Sequence, residues 1–458
     1  MKKIQFLFAL SIGKIVCKLV NVIDKEKGTN LAGKIACKIQ KDFISHFKGI
    51  DYNKVFFITG TNGKSTTNNM VVHTLRNSGK KVTSNLEGAN LLTGVATALI
   101  KDSTIFGKLD SDFFVFETDE RYLSIIHKYL PAKNICITNI QKDQVQRNGE
   151  PDYIYQKIKA VITKDTTLYL NNEEPRSKSL AKYAGNAVFY GVEKNEKSFE
   201  KNDFYDVSLP CPICNDKIKF DYYNVDNIGK FRCTNCDFKS EENINFPITD
   251  INYKEGSFKC LDYEYFVNNT EAFFIYNYAL CIAICKTFGI DEKQIQEAFK
   301  NFKNIGGRIE TLYYKEKTIK YIRIKQENPE TLQSALDYIS CDNEPKIFVL
   351  GLEELKDFKP YYTNTFYAFD CNIDKLISSN VERYICFSEA VAYDSANRLI
   401  YAGIDKDKIS ILPTDNDTDI MQELDKYDIN NVYLITWLKK YYELDKYIKN
   451  NKEDIKDE

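Results

Sequence analysis

The chain has 458 residues, room for about three domains of ordinary size, and its 43% apolar and 13% aromatic content excludes a disordered protein. A formal net charge of −2 offers no global basic field for nucleic acid, and 13 scattered Cys fit a reducing cytosol with some thiols as metal ligands, not a secreted disulfide framework. The three His (His46, His73, His127) lie near no plausible nucleophile, so a self-contained Cys–His or Ser–His engine is not expected.

Lys2-Lys3 followed by the apolar run 4–10 has the outline of a signal peptide, but Gly13, Lys14 and Lys18 interrupt it and no small-residue cleavage site follows cleanly. Apolar residues at Leu7, Leu10, Ile15, Leu19 and Ile23 fit an amphipathic helix expected to pack on the next domain. Membrane-surface contact and a cleaved signal are the other two readings. No stretch reaches the ~20 apolar residues that a spanning helix needs.

Residues 55–58, Val-Phe-Phe-Ile, predict a buried strand, and 58–67 read Ile-Thr-Gly-Thr-Asn-Gly-Lys-Ser-Thr-Thr. A strand, a glycine-bearing turn and a helix opening at Lys64-Ser65 make a cradle for nucleotide phosphates. Gly60 and Gly63 admit close backbone approach, and the N–H groups of the turn and helix start (Thr61, Asn62 and Thr66 among them) point at the anion. Lys64 would neutralise the β- and γ-phosphates, and Ser65 would hold Mg²⁺. The general loop has a Gly where this chain has Ile58, so the compact Gly-Thr-Asn-Gly-Lys-Ser form is narrower than the general pattern. The spacing predicts an ATP-using enzyme.

A helix from 64 to about 78, a strand at 81–83 and a helical run ending near 99 follow. Residues 113–116 predict a second buried strand ending in Glu117, 135–139 a third ending in Asn139, and 167–170 a fourth ending in Asn171. Strands alternating with helices mean a parallel sheet covered on both faces, with its chemistry beyond the carboxyl ends of the strands. Gly60, Glu117, Asn139 and Asn171 all fall there. A carboxylate ending a strand opposite a phosphate loop suits Mg²⁺, so Glu117 joins Ser65 as a candidate ligand.

From 205 to 260 the chain shifts to paired Cys and aromatic–polar alternation, the mark of a small inserted module. Cys211-Pro-Ile-Cys214 and Cys233-Thr-Asn-Cys236 are two knuckles 18 residues apart. Four thiolates close a tetrahedron around Zn²⁺ with no open position for water. The flanking residues read as hairpin strands of a zinc ribbon, without the basic stripe that nucleic acid would require. Helical signals resume over 271–289 and 292–302, Gly306-Gly307-Arg308 makes a break, and strands alternate with helices again from 319. The expected organisation is a helical segment 1–50, a central ATP-binding domain 51–304 with the ribbon at about 205–245, a Rossmann-like α/β domain 305–449, and a charged tail 450–458.

The ordered set of motifs resembles the MurT branch of the Mur ligases over nearly the whole chain. It includes 28–36 (Gly-Thr-Asn-Leu-Ala-Gly-Lys-Ile-Ala), the phosphate loop, Gly88-Ala89-Asn90 with 94–97 (Gly-Val-Ala-Thr), 116–120 (Phe-Glu-Thr-Asp-Glu) and 138–144 (Thr-Asn-Ile-Gln-Lys-Asp-Gln). The four Cys stand where that branch inserts a zinc ribbon into the central domain, and 306–310 with 398–403 complete the pattern. The resemblance implies that residues 60–66 and Lys64 in particular bind ATP phosphates, with Mg²⁺ on Ser65 and Glu117. It places Asn277 at the adenine side and brings Arg308 to the nucleotide from the linker.

The same resemblance implies a role in peptidoglycan synthesis. ATP would activate the α-carboxylate of D-glutamate in the lipid II stem peptide as an acyl phosphate. Ammonia from a GatD-like glutamine amidotransferase subunit would then convert it to D-isoglutamine. In that branch the C-terminal domain lends an Asp to the partner's Cys–His pair, from an Asp-rich stretch before an aromatic run. Here Phe369-Asp370 matches the end of the run, Asn364 and Tyr361 stand where acids are expected, and Asp357 would serve if the loop is re-registered. Asn364, Asp357 and Asp370 are therefore the candidates for the partner-triad position. Gln144 replaces a His that many Mur ligases carry. These departures keep open an amino-acid ligase acting on another carboxylate without a glutaminase, or a scaffold that kept its phosphate loop. A lipid-linked substrate implies a cytoplasmic protein working at the inner face of the membrane.

Overall fold

The computed structural model describes residues 2–23, 30–86, 89–142, 150–200, 209–225, 227–302, 309–324, 329–353 and 368–451. The chain divides into two compact units, Met1–Gln141 with Asn148–Ile305, and Lys142–Arg147 with Gly306–Glu458.

The first unit opens with α1 (Lys2–Ile23) and α2 (Leu31–Ile39) and then alternates strand with helix. The succession is β1 (Val55–Thr59), α3 (Lys64–Asn77), β2 (Val82–Ser84), α4 (Leu92–Asp102), β3 (Phe113–Glu117), α5 (Leu123–Tyr129), β4 (Asn134–Ile137), α6 (Pro151–Lys159), β5 (Thr167–Asn171), α7 (Pro175–Ser179) and β6 (Asn186–Val192). Every residue of β1, β3 and β4 is buried, because an unbroken apolar run can send side chains into a core on either side of the sheet. These strands pair in parallel in the order β6-β5-β4-β1-β3-β2. Ile58 of β1 lies between Glu117 of β3 and Cys136 of β4, which aligns three strand ends behind the phosphate loop.

Beyond β6 come β7 (Ile218–Val225) and β8 (Ile228–Cys233), an antiparallel hairpin with its own two-stranded sheet. Then β9 (Phe246–Asn252), β10 (Ser257–Cys260) and β11 (Tyr263–Phe266) return to the main sheet, β9 parallel to β6 and the last two antiparallel, making nine strands. The inserted module is therefore shorter than the 205–260 composition shift suggests. The aromatic–polar alternation over 246–266 belongs to the three strands at the β11 end of the main sheet, which carry both buried and exposed residues.

Helices α8 (Ala272–Thr287) and α9 (Glu292–Asn301) close the unit and pack with α3 on one face of the sheet, while α1, α2 and α4 cover the other. Every residue from 274 to 285 is buried, so α8 is a core helix, apolar around its circumference. The orientation of α1 differs from the expected one. Phe6, Ala9 and Leu10 face the core, whereas Ile15 and Leu19 are exposed. Phe6 decides this by packing its ring 5.2 Å from Phe43 and 5.3 Å from Phe47. Apolar residues occupy two faces of this helix, and periodicity alone does not say which one the core takes.

The second unit contains β12 (Ile309–Tyr314), β13 (Lys317–Ile322), α10 (Pro329–Ser340), β14 (Lys346–Gly351), β15 (Val381–Phe387), α11 (Ala392–Tyr401), β16 (Ile409–Leu412), α12 (Asp417–Asp425), β17 (Asn431–Ile435) and α13 (Leu438–Asn450). Its sheet runs β12-β13-β17-β14-β15-β16, parallel except at the β12–β13 hairpin. The rings of Tyr321 and Tyr441 stack 4.1 Å apart under the hairpin edge.

Candidate active site and metal centre

The turn between β1 and α3 has the shape of an anion cradle. Gly60 (φ 126°) and Gly63 (φ 84°) adopt backbone conformations closed to most side chains. A Cβ at Gly63 would lie 2.6 Å from Asn277 Oδ1, and one at Gly60 would strike Thr138 and Asn139. The neighbouring strand end grips the loop. The Asn62 amide donates to Asn139 Oδ1 at 3.0 Å, Asn139 Nδ2 donates to Asn62 O at 3.1 Å, and Thr61 N donates to Asn139 O at 2.9 Å. Thr61 Oγ1 donates to Gln141 O and accepts from Gln141 N. Ser65 is exposed at the mouth and Thr66 is half-buried.

Lys64 is buried, and its ammonium donates to the carbonyls of Gly60 and Thr61 and to Glu120 Oε1 at 2.9 Å. Burial pushes the Glu120 carboxyl up, and the charge and hydrogen bond of Lys64 oppose that rise. Glu120 stands within the quoted 116–120 motif but had no assigned role. The available signal was an acid three residues past the end of the strand beside the phosphate loop.

Glu117 ends β3 with its carboxylate buried, and Asn90 Nδ2 donates to Oε1 at 3.3 Å. Asn85 holds the Glu117 backbone at both ends, accepting from its N–H at 2.9 Å and donating to its C=O at 2.8 Å. The structure thus brings Glu117, Asn139 and residues 60–66 to one rim of the sheet. Asn171 turns instead to its own loop, where Oδ1 accepts from Glu173 N at 2.9 Å.

Asn277 comes from α8, far along the chain. Its Oδ1 accepts from Thr67 Oγ1 at 3.1 Å, while its buried Nδ2 has no partner among the described residues. An unsatisfied buried donor is costly, and a nucleotide at this cradle supplies acceptors for it. Positive-φ glycines at the strand-to-helix turn, a buried cation and an orphan amide together fit a nucleoside triphosphate. Arg308, Asp357 and Asn364 lie outside the described residues.

Cys211, Cys214, Cys233 and Cys236 converge, their four Sγ atoms lying within 4.8 Å of one another. Amides of Ile213 and Asn235 donate to the sulfurs of Cys211 and Cys233 at 3.4 Å, the knuckle pattern that favours thiolates. Ile218 and Phe231 form the small apolar floor beneath. The donor set, four soft sulfurs with no fifth group among the described residues, fits a closed tetrahedral Zn²⁺ site.

In the second unit, Asp370 is exposed and pairs with Lys142 at 2.9 Å. The backbone around it is held by the buried Arg398, whose Nε donates to Ala368 O at 2.9 Å and Nη2 to Cys371 O at 2.7 Å.

The chain is similar to known proteins over most of its length. Residues 58–236 match the Mur ligase middle domain, and residues 326–438 match the MurT ligase C-terminal domain. The "Lipid II isoglutaminyl synthase (glutamine-hydrolyzing) subunit MurT" of Staphylococcus aureus (strain COL) is 27% identical over 386 residues, covering 82% of this chain and 84% of that protein. The subunit of the same description from Streptococcus pneumoniae is 25% identical over 415 residues, with 89% and 90% covered. Among solved structures, a pseudomurein peptide ligase type C from Methanothermus fervidus superposes with a TM-score of 0.65 at 20% identity, covering 94% of this chain and 85% of that one. MurF ligase from Thermotoga maritima in complex with ADP gives a TM-score of 0.59 at 15% identity, with 92% and 85% covered. At those identities the structural likeness shows the fold alone.

Proposed function

Because residues 58–236 match the Mur ligase middle domain and residues 326–438 the MurT ligase C-terminal domain, we propose that this chain is the ATP-dependent amidating subunit of a lipid II isoglutaminyl synthase. The observation that carries this reading is the conjunction of a Mur-type phosphate loop with a MurT-type C-terminal domain in one chain. The substrate would be the α-carboxylate of D-glutamate in the lipid II stem peptide. Its activation as an acyl phosphate makes it an electrophile, and ammonia from a GatD-like glutaminase partner displaces phosphate to leave D-isoglutamine.

In this reading the amides of residues 60–66 and the ammonium of Lys64 hold the ATP phosphates, and Asn277 meets the adenine side with its orphan amide. Arg308 would reach the nucleotide from the linker. Ser65 and Glu117 would hold Mg²⁺, which neutralises charge on the transferring phosphoryl group. Zn²⁺ on the four Cys would be structural. Asp370, held on a braced segment, is the described candidate for completing the partner's Cys–His pair, beside Asp357 and Asn364. The chain needs no nucleophile of its own, since phosphoryl transfer and oxyanion stabilisation rest on cations and oriented amides.

The decisive test is co-purification with a candidate glutaminase and mass spectrometry of lipid II incubated with ATP and glutamine. The expected product shows the small mass decrease that turns a carboxylic acid into a primary amide, located on D-glutamate. Unchanged lipid II with an assembled, glutamine-hydrolysing complex would refute the reading. ATP turnover stimulated by a free amino acid, without glutaminase, would identify the amino-acid ligase instead.

A further inference from the structure

The core-facing side of α1 is satisfied by Phe6, Ala9 and Leu10, yet the opposite side is also apolar. Ile4, Phe8, Ile15 and Leu19 are each more than half exposed, and their spacing places them along one stripe of the helix. An exposed apolar stripe, here interrupted by Ser11 between Phe8 and Ile15, marks a contact site. On the core-facing side of the helix, the tight turn 104–108 sets Gly107 against Phe6 and Leu10 and leaves Ile105 and Phe106 at its tip, 68% and 71% exposed.

The charge around this surface identifies the occupant. The helix contains four Lys and no Asp or Glu, in a chain whose formal net charge is −2. Lys14 is committed to the carbonyls of Ile100 and Ser103, and Lys2 lies near Asp42, while Lys3 and Lys18 stand exposed at either end of the stripe. An acid-free helix with an apolar ridge and flanking ammonium groups matches an anionic phospholipid surface, where lysines meet headgroups and the ridge enters the acyl boundary. Among the described residues no helix is long and apolar enough to cross a membrane, so the contact is in the plane of the surface.

We propose that the outer face of α1 docks this protein on anionic membranes. A second copy of the chain is the competing occupant. The test uses the full chain and sucrose-loaded vesicles of phosphatidylcholine, with or without phosphatidylglycerol. Co-sedimentation is expected with the anionic vesicles, weaker with the neutral ones and reduced by added NaCl. Phe8→Ser with Ile15→Ser should lower the vesicle partition coefficient roughly tenfold while leaving the circular dichroism and melting midpoint unchanged. Should that variant lose its fold, Lys3→Glu with Lys18→Glu serves in its place and is expected to abolish the preference for anionic lipid.

Failure of the parent chain to bind anionic vesicles overturns the proposal, as does equal binding by parent and variants. A concentration-dependent dimer that the Phe8/Ile15 variant abolishes, without vesicle binding, would assign the face to a second copy. The vesicles carry no lipid-linked substrate, so the result is independent of the amidation reading.

Discussion

Lys64 serves two demands that a single substitution separates. On the proposed reading it meets phosphate, and in the structure it pairs with the buried Glu120, so removing it leaves an uncompensated carboxylate in the core. Lys64→Ala is expected to lower ATP turnover on the order of 10²–10³-fold and also to lower the melting temperature. Lys64→Ala with Glu120→Gln should recover much of the stability and none of the turnover. Calorimetry beside a phosphate-release assay checks both arms. Turnover retained in the single variant would remove the phosphate cradle from the mechanism. Glu173 offers a second test at this scale. Burial pushes its carboxyl up to about 7, against the Val192 amide and the Tyr276 hydroxyl. Across the window from its ordinary value of 4.5 to about 7, the folded protein keeps a proton that the unfolded chain has released, so this group's contribution to stability falls as pH rises. The loss is up to about 3 kcal/mol. Urea midpoints should therefore decline between the acid and alkaline ends of that window, and Glu173→Gln should flatten the decline.

At the level of elements, the cysteine hairpin and the Arg398 brace are the two pieces whose failure should be local. The floor of the ribbon is Ile218 and Phe231 with the partly buried Leu209, Phe220 and Phe238, a small apolar area for a hairpin to fold on without help. Cys233→Ser should release zinc, from about one ion per chain toward none, and expose β7–β8 to protease while the nine-stranded sheet keeps its melting transition. Retained zinc would exclude the four-sulfur site. Arg398→Ala removes both donors to Ala368 O and Cys371 O, at an expected cost of about 2–3 kcal/mol to the second unit, and should reduce glutaminase stimulation more than basal ATP binding. Arg398→Lys should rescue poorly, because one ammonium does not reproduce a guanidinium fork.

These elements also show what is legible in a sequence. β1, β3, β4 and β5 announce themselves because strands buried on both faces are unbroken apolar runs, and the four Cys because zinc geometry demands their spacing. The return of β9–β11 to the main sheet was not legible, since edge strands alternate in polarity and resemble an inserted module. The inward face of α1 was not legible either, because two apolar stripes compete and only Phe43 and Phe47, distant in sequence, decide between them. The Lys64–Glu120 pair depends on which strands are neighbours, and strand order is a property of the folded sheet.

For the whole molecule, the two compact units give distinct expectations for ligand linkage. If ATP with Mg²⁺ is held as proposed, chiefly by residues of the first unit, it should stabilise that unit by about 2.7 kcal/mol at a hundredfold excess over Kd. In a calorimetric scan the transition of the first unit should move upward with nucleotide and that of the second should move much less. Equal displacement of both would mean that they unfold together. One contact has a consequence in time. Thr67 and Asn277 are 210 residues apart, and their hydrogen bond closes the wall of the phosphate cradle. A ribosome delivers the phosphate loop early and α8 much later, with the cysteine hairpin emerging in between. On the proposed reading, the nascent chain carries a signature turn before the wall of its nucleotide site exists, and that wall closes only after the cysteine knuckles have emerged.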